Sequence, residues 1–164
     1  MPLLVGNETS EATEKTYEKE KAFGGTFAAA HTGTVEVLHV KTKNGVTENE
    51  FDIGLYEESG KLFHKKTGKL AASAEGTVEA TGFSVKVTKG TSYRLAAIPV
   101  LGSCKVKYKK EAGHELLEKV ALAKKELLEG STWAKEPESL NLTIWATGTE
   151  EEGVEEANPI VMLI

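Results

Sequence analysis

Between Phe51 and Lys109 the chain alternates apolar and polar residues with a period of two. Phe51, Ile53 and Leu55 alternate with Asp52, Gly54 and Tyr56, and Phe83, Val85 and Val87 with Ser84, Lys86 and Thr88. Cys104, Val106 and Tyr108 then alternate with Lys105, Lys107 and Lys109. Successive strand side chains point to opposite faces, so this period predicts half-buried strands, one face on a core and the other in water. Ser59-Gly60, Glu75-Gly76, Lys89-Gly90 and Leu101-Gly102 break the runs. Short alternating strands at this spacing predict an all-β protein, an antiparallel β-sandwich or jelly roll.

Around these runs the sequence predicts the remaining elements. Residues 7–21 are dense in Glu, Lys and Thr and read as a polar N-terminal loop or arm from Asn7 to Lys21. Phe23 to Ala30 reads as a strand distorted at Gly24-Gly25. Val35 to Val40 is apolar on both faces, as a central strand would be, and Lys43-Asn44-Gly45 is a hairpin signal. Further strands are predicted at about 50–56, 61–65, 68–74, 82–88, 92–100 and 103–109. The period then changes. Leu117, Val120, Ala121, Lys124 and Leu128 recur at helical spacing, with Gly130 as a stop, which predicts one inserted α-helix over residues 114–129. Two uses for it are open, capping an end of the sandwich or facing a neighbouring subunit. Strands are expected again at Leu140–Trp145 and at the wholly apolar Ile160–Ile164. Such a terminus must be buried in the sheet or covered by a partner.

The 164 residues suit a single domain, 1–164, and a hydrophobic fraction of 40% with 27% charged residues is that of a globular chain. No apolar run reaches the ~20 residues of a membrane helix. The start, Met1 to Asn7, lacks the basic and apolar regions of a signal peptide, so the expectation is synthesis in the cytoplasm without export. Every acid is Glu except Asp52, every base is Lys except Arg94, and Gln is absent. With one Arg and a net charge of −5, sequence-specific nucleic-acid binding is disfavoured. With one Asp, a calcium loop of the usual kind cannot be built. The same bias fits either a thermophile or ordinary lineage preference.

The chemical inventory is sparse. His31, His39, His64 and His114 are scattered, with no zinc spacing, no nucleophile elbow and no phosphate loop. No catalytic, cofactor or metal residue is assigned, and the chain is read as non-enzymatic. Cys104 is the lone cysteine and shares a face with Val106 and Tyr108, which suits a small buried hydrophobe better than a reactive thiol. Lys61, His64, Lys65, Lys66 and Lys69 form one basic stretch, and Lys105, Lys107, Lys109 and Lys110 another. Together they are either a cationic patch for an acidic partner or the protected, solvated faces of strands. Tyr56, Trp133 and Trp145 are the aromatics that could stack on sugars if exposed; core packing is the alternative.

Gly33 to Val40, Phe51 to Tyr56, Lys69 to Ser73 and Phe83 to Ala96 follow one another in an order that resembles the jelly-roll modules of bacteriophage virion-surface proteins. These include capsid decoration proteins and head and tail fibres, and similar modules occur in some bacterial carbohydrate-binding domains. The hallmarks are the Gly54-Leu55-Tyr56 strand and the later Gly90-Thr91-Ser92-Tyr93-Arg94-Leu95-Ala96 strand. The likeness covers about residues 3–109 and, more faintly, 139–164; the segment 114–129 departs from it. It implies a virion structural protein made in the host cytoplasm, with other virion proteins and its own copies as partners and no cofactor. Binding would use the arm, Leu117, Val120 and Leu128, and the terminal Val161, Met162, Leu163 and Ile164. The alternative is a carbohydrate-binding module recognising cell-surface glycans through Tyr56, Trp133 or Trp145.

Overall fold

The structure, a computed structural model, describes residues 1–9, 13–44, 48–67, 70–71, 75–111, 116–119, 126–129, 133–135 and 139–151. These form fifteen strands and no helix. The strands are β1 (Leu3–Gly6), β2 (Glu14–Tyr17), β3 (Ala22–Ala28), β4 (Gly33–Asn44), β5 (Glu48–Asn49), β6 (Phe51–Tyr56), β7 (Leu62–Lys66) and β8 (Leu70–Ala71). They continue with β9 (Glu75–Val87), β10 (Ser92–Pro99), β11 (Cys104–Lys110), β12 (Leu116–Lys119), β13 (Ala134–Lys135), β14 (Leu140–Leu142) and β15 (Ile144–Glu150). All pairing is antiparallel. One sheet runs β1-β15-β4-β11-β14 with β9 on β4 and β2 on β11, the other runs β13-β12-β3-β10-β6-β7, and β5 and β8 form a separate ribbon.

The larger sheet is organised by β4. One of its edges pairs with β9 from Gly33 to Lys43. The other is shared end to end, by β15 along Gly33–Val40 and by β11 along Thr42–Asn44. Residues 140–150 therefore run first along β11 and then along β4. The exchange happens at the fully buried Thr143, whose N–H donates to Lys107 O and whose carbonyl accepts from Lys41 N–H, both at 3.0 Å. Neither backbone group is left unpaired at the switch, which is the condition for burying it.

The two-faced apolarity of Val35–Val40 has a local cause. Glu36 is an extra residue against β15, where Val35 pairs with Gly148 and Val37 with Thr147. The bulge reverses the alternation, so Val35, Leu38 and Val40 all join the core while Glu36 reaches Thr149 on the exposed side. Gly148 is required at this crossing, because a Cβ there would lie 1.9 Å from the carbonyl oxygen of Thr34.

The sheets pack face to face through a single large core that takes Phe51, Ile53 and Leu55 from the smaller sheet. The expectation that the other face of β6 meets water does not hold: all six of its residues are buried. The outer face of the smaller sheet has a core of its own, in which Leu127, Leu128 and Trp133 pack over Ala22, Tyr56, Ala96 and Ile98. Burying a side chain such as Leu127 contributes about 1.5–3 kcal/mol.

That covering segment replaces the expected helix. Leu116–Lys119 is a strand between β3 and β13, residues 126–129 are not helical, and 112–115 and 120–125 lie outside the described residues. The physical reason is the edge of β3. Without β12 that edge would stand open at Ala22–Gly25, and its ladder offers hydrogen bonds that a charged, weakly amphipathic helix cannot match. The polar arm is corrected too. Glu14–Tyr17 pairs with Lys107–Cys104, and the ring of Tyr17 is buried on Phe23 at 4.3 Å. Within the predicted strand 68–74 only Leu70–Ala71 is described, and Gly45 of the predicted hairpin and Ile160–Ile164 lie outside the described residues.

Replacing Gly148 by Ala must push β4 and β15 apart at the bulge. The expected cost is about 3 kcal/mol, the upper part of the range for overpacking. It should be read as a lower urea midpoint at unchanged denaturant slope.

Candidate functional sites on the outer sheet faces

The outer face of the larger sheet carries His39 and Trp145, opposite each other on β4 and β15. Their rings stack at 4.8 Å with an interplanar angle of 7°. The indole is half-buried and the imidazole nearly enclosed. His39 Nε2 is 2.8 Å from Thr147 Oγ1, while Nδ1 lies 3.3 Å from the half-exposed Glu79 Oε1. Burial lowers the pKa of His39 below its ordinary value, and the carboxylates of Glu79 and Glu8 oppose that shift. The result is a flat aromatic platform bordered by hydroxyl and carboxylate groups. Trp145 is kept at the surface because the strand alternation places Ile144 and Ala146 inward.

The outer face of the smaller sheet carries the only Asp and the only Arg of the chain. Arg94 on β10 sits opposite Tyr56 on β6, with its guanidinium 5.8 Å from the Tyr56 ring and 5.5 Å from that of Trp133. Tyr56 and Trp133 meet edge to face at 5.9 Å, and Tyr56 donates its hydroxyl hydrogen to Leu128 O at 3.0 Å. A planar cation suits this stacked position where an ammonium would not. Thr26, Glu57, Glu58 and Ser92 join Tyr56 and Arg94 around a small pocket of about 130 Å³.

Asp52 lies two residues before Gly54 on the same face of β6, and His64 stands opposite Gly54 on β7. The missing Cβ of Gly54 makes the site possible. A methyl there would meet Leu62, His64 and Leu127 at 2.9–3.0 Å. His64 donates from Nδ1 to Asp52 Oδ2 at 2.7 Å, and the same oxygen accepts the Leu127 N–H at 2.7 Å. Asp52 has no exposed surface, whereas His64 is about one-third exposed and lines a cleft of about 290 Å³ with Leu62, Phe63, Lys65, Phe83 and Ser84. Burial raises the Asp52 pKa, and the two hydrogen bonds pull against that shift. Among the described residues, Asp52, His64 and Glu126 are the group able to offer three metal-ligand atoms, all within 4.8 Å of one another.

The residues singled out from sequence fall in several places. Tyr56 is buried, so its ring supports Arg94 and Trp133 and offers no open face, while Trp133 and Trp145 are half-buried. Leu128 packs in the outer core, and Leu117 stands opposite Gly24 on β12. Val120, Val161, Met162, Leu163 and Ile164 lie outside the described residues, as do Lys69 and His114. Of the two lysine stretches, His64, Lys65 and Lys66 lie on β7 and Lys105, Lys107, Lys109 and Lys110 on β11, in different sheets. Within them Lys61 and Lys65 lie over the rings of Phe63 and Phe83, and Lys109 reaches Glu111. Cys104 is buried and its thiol pKa is pushed up to about 12, so it packs as a hydrophobe. Sequence reasoning missed the roles of Asp52, His64, Glu126 and Arg94. The available signal was their singularity, since one Asp and one Arg stand in a chain that otherwise uses Glu and Lys.

No family model matches the chain, and no curated protein does. Among solved structures, one chain from Thermotoga maritima, titled "Crystal Structure of Thermotoga maritima 1070", aligns over 69% of this chain and 97% of its own at 11% identity. The TM-score is 0.30, and at that value the likeness carries no argument about fold or activity.

His39 makes stability depend on pH with a definite sign. Its folded pKa lies below the ordinary 6.5, so as pH falls through that value the unfolded chain takes up a proton and the native chain does not. Stability is therefore expected to fall as pH drops below about 6.5, and His39→Asn should flatten that limb of a melting-temperature profile. Asp52 acts oppositely in a more acid range, its raised pKa returning stability as the carboxylate protonates.

Proposed function

We propose that the protein is a non-enzymatic jelly-roll structural module of a bacteriophage virion surface, acting by protein–protein adhesion as a capsid decoration or fibre and tail component. The observation that supports this reading most is the placement of the two hallmark segments. Gly54-Leu55-Tyr56 and Arg94-Leu95-Ala96 are hydrogen-bonded neighbours, with Tyr56 opposite Arg94 and Leu55 opposite Leu95. The resemblance thus rests on adjacent strands of one sheet. The described surface also favours contact through sheet edges over apolar patches, since Met1 and Leu101 are its only exposed large hydrophobics. Among the described residues, β1, β7 and β13 end the strand order of their sheets, and their outer edges are where further strands could add.

The reading predicts self-association. Light scattering after size exclusion should give a defined homo-oligomer at micromolar concentration, with interfaces of at least roughly 1,000 Å². A chain that stays monomeric at every concentration would count against it.

A second reading, glycan recognition, is favoured by one observation: Trp145 keeps a partly exposed indole flat on the outer face, braced by His39. A braced ring is pre-ordered for stacking against a sugar face. A glycan array should then show binding by the wild-type chain that Trp145→Ala removes without lowering the melting temperature appreciably. Wild-type chain that binds no glycan, or a variant that binds equally well, would dismiss it.

A further inference from the structure

We propose that Asp52, His64 and Glu126 form a binding site for one divalent transition-metal ion, with Zn2+ as its representative, on the outer face of the smaller sheet. The site is independent of the adhesion reading and would stand if that reading failed.

Three features carry the proposal. The first is convergence. The three ligand atoms lie within 4.8 Å of one another, and metal–ligand distances of about 2.0–2.2 Å require them to draw in by about 1 Å, to roughly 3.3–3.6 Å around a tetrahedral ion. Small side-chain adjustments suffice to close them on an ion. The residues come from β6, from β7 and from the covering segment, so the metal would tie that segment to the sheet.

The second is an orphaned oxygen. Asp52 has no exposed surface, and its Oδ1 has no hydrogen-bond partner among the described residues, although Oδ2 accepts two hydrogen bonds. A buried carboxylate oxygen without a partner is costly and rarely tolerated. A cation beside it removes that penalty. Glu126 brings a second carboxylate toward the first, an arrangement that repels in the absence of a positive charge and coordinates in its presence.

The third is the surrounding architecture. The Leu127 N–H fixes Asp52 from behind, as outer-shell donors fix metal-ligating carboxylates. His64 is the one-third exposed member, which gives the site access to solvent and to a water ligand. One imidazole and two carboxylates with an open position suit Zn2+, whereas Ca2+ takes about six to eight oxygens. Binding at the imidazole nitrogen that now donates to Asp52 would release its proton.

The test is isothermal titration of the full chain, stripped with a chelator, with ZnCl2, run beside thermal melts with and without the metal. Wild type should bind one Zn2+ saturably and melt at a higher temperature with it. Glu126→Gln, at a partly exposed position, should keep the fold yet weaken binding at least ~10-fold and lose the thermal shift, as removal of a ligand predicts. His64→Gln should do the same. Ca2+ should not substitute. Absence of saturable Zn2+ binding in a cooperatively melting wild type would overturn the site. So would affinity unchanged in both variants, which would place the metal elsewhere and leave Asp52–His64 as an ion pair alone.

Discussion

The backbone N–H of Leu127 donating to the carboxylate of Asp52 is the bond on which the outer half of the structure depends. A sheet with apolar residues on both faces must be covered twice, and the sandwich partner covers only one face. The second cover comes from Leu127, Leu128 and Trp133, and residues 126–129 reach the sheet as irregular backbone. Irregular backbone brings polar groups with it, and these need partners where it is buried. Asp52 supplies one from the strand itself and Tyr56 supplies another by donating to Leu128. Both residues occupy the outward positions of β6, so one strand faces the sandwich core with apolar side chains and receives the cover with polar ones.

The choice of residue type follows from that geometry. Asp holds its carboxylate one methylene closer to the strand than Glu would, close enough to meet a backbone group lying directly over the sheet. Arg94 presents a flat guanidinium to two rings where the aliphatic stem and compact head of Lys would stack poorly. A chain whose surface is built from Glu and Lys thus uses its single Asp and single Arg where charge has to be placed against packed groups.

The strand regions were legible in sequence because the period-two alternation of Phe51–Tyr56, Phe83–Val87 and Cys104–Lys109 is imposed by the core on one face. What lay on the other face was not. Asp52, Gly54 and Tyr56 read as polar or small and hence wet, and only contact with residues more than seventy positions away reveals them as buried. The helical spacing over 114–129 misled for a related reason. Leu116–Lys119 takes its conformation from the edge of β3, a non-local partner that no window along the chain contains. Glu14–Tyr17 was hidden in the same way, its polar composition concealing a pairing with β11. The histidine at 64 could be placed beside its carboxylates only after β6 and β7 had been put in register.

The exchange of partners at Thr143 also bears on how the chain reaches this state. Among the described residues, Leu3–Gly6 pairs within its sheet with Trp145–Thr147 alone, and β4 lacks half of one edge until the same late segment arrives. Nearly every ladder joins segments distant in sequence, so loop closure has to precede most of the favourable pairing, a topology that folds slowly. During synthesis the early strands would emerge with open edges and wait for residues still inside the ribosome. The glutamates and lysines of Glu14–Tyr17 and Gly33–Asn44 would then disfavour pairing of a half-translated sheet with its neighbours before its own last strands arrive.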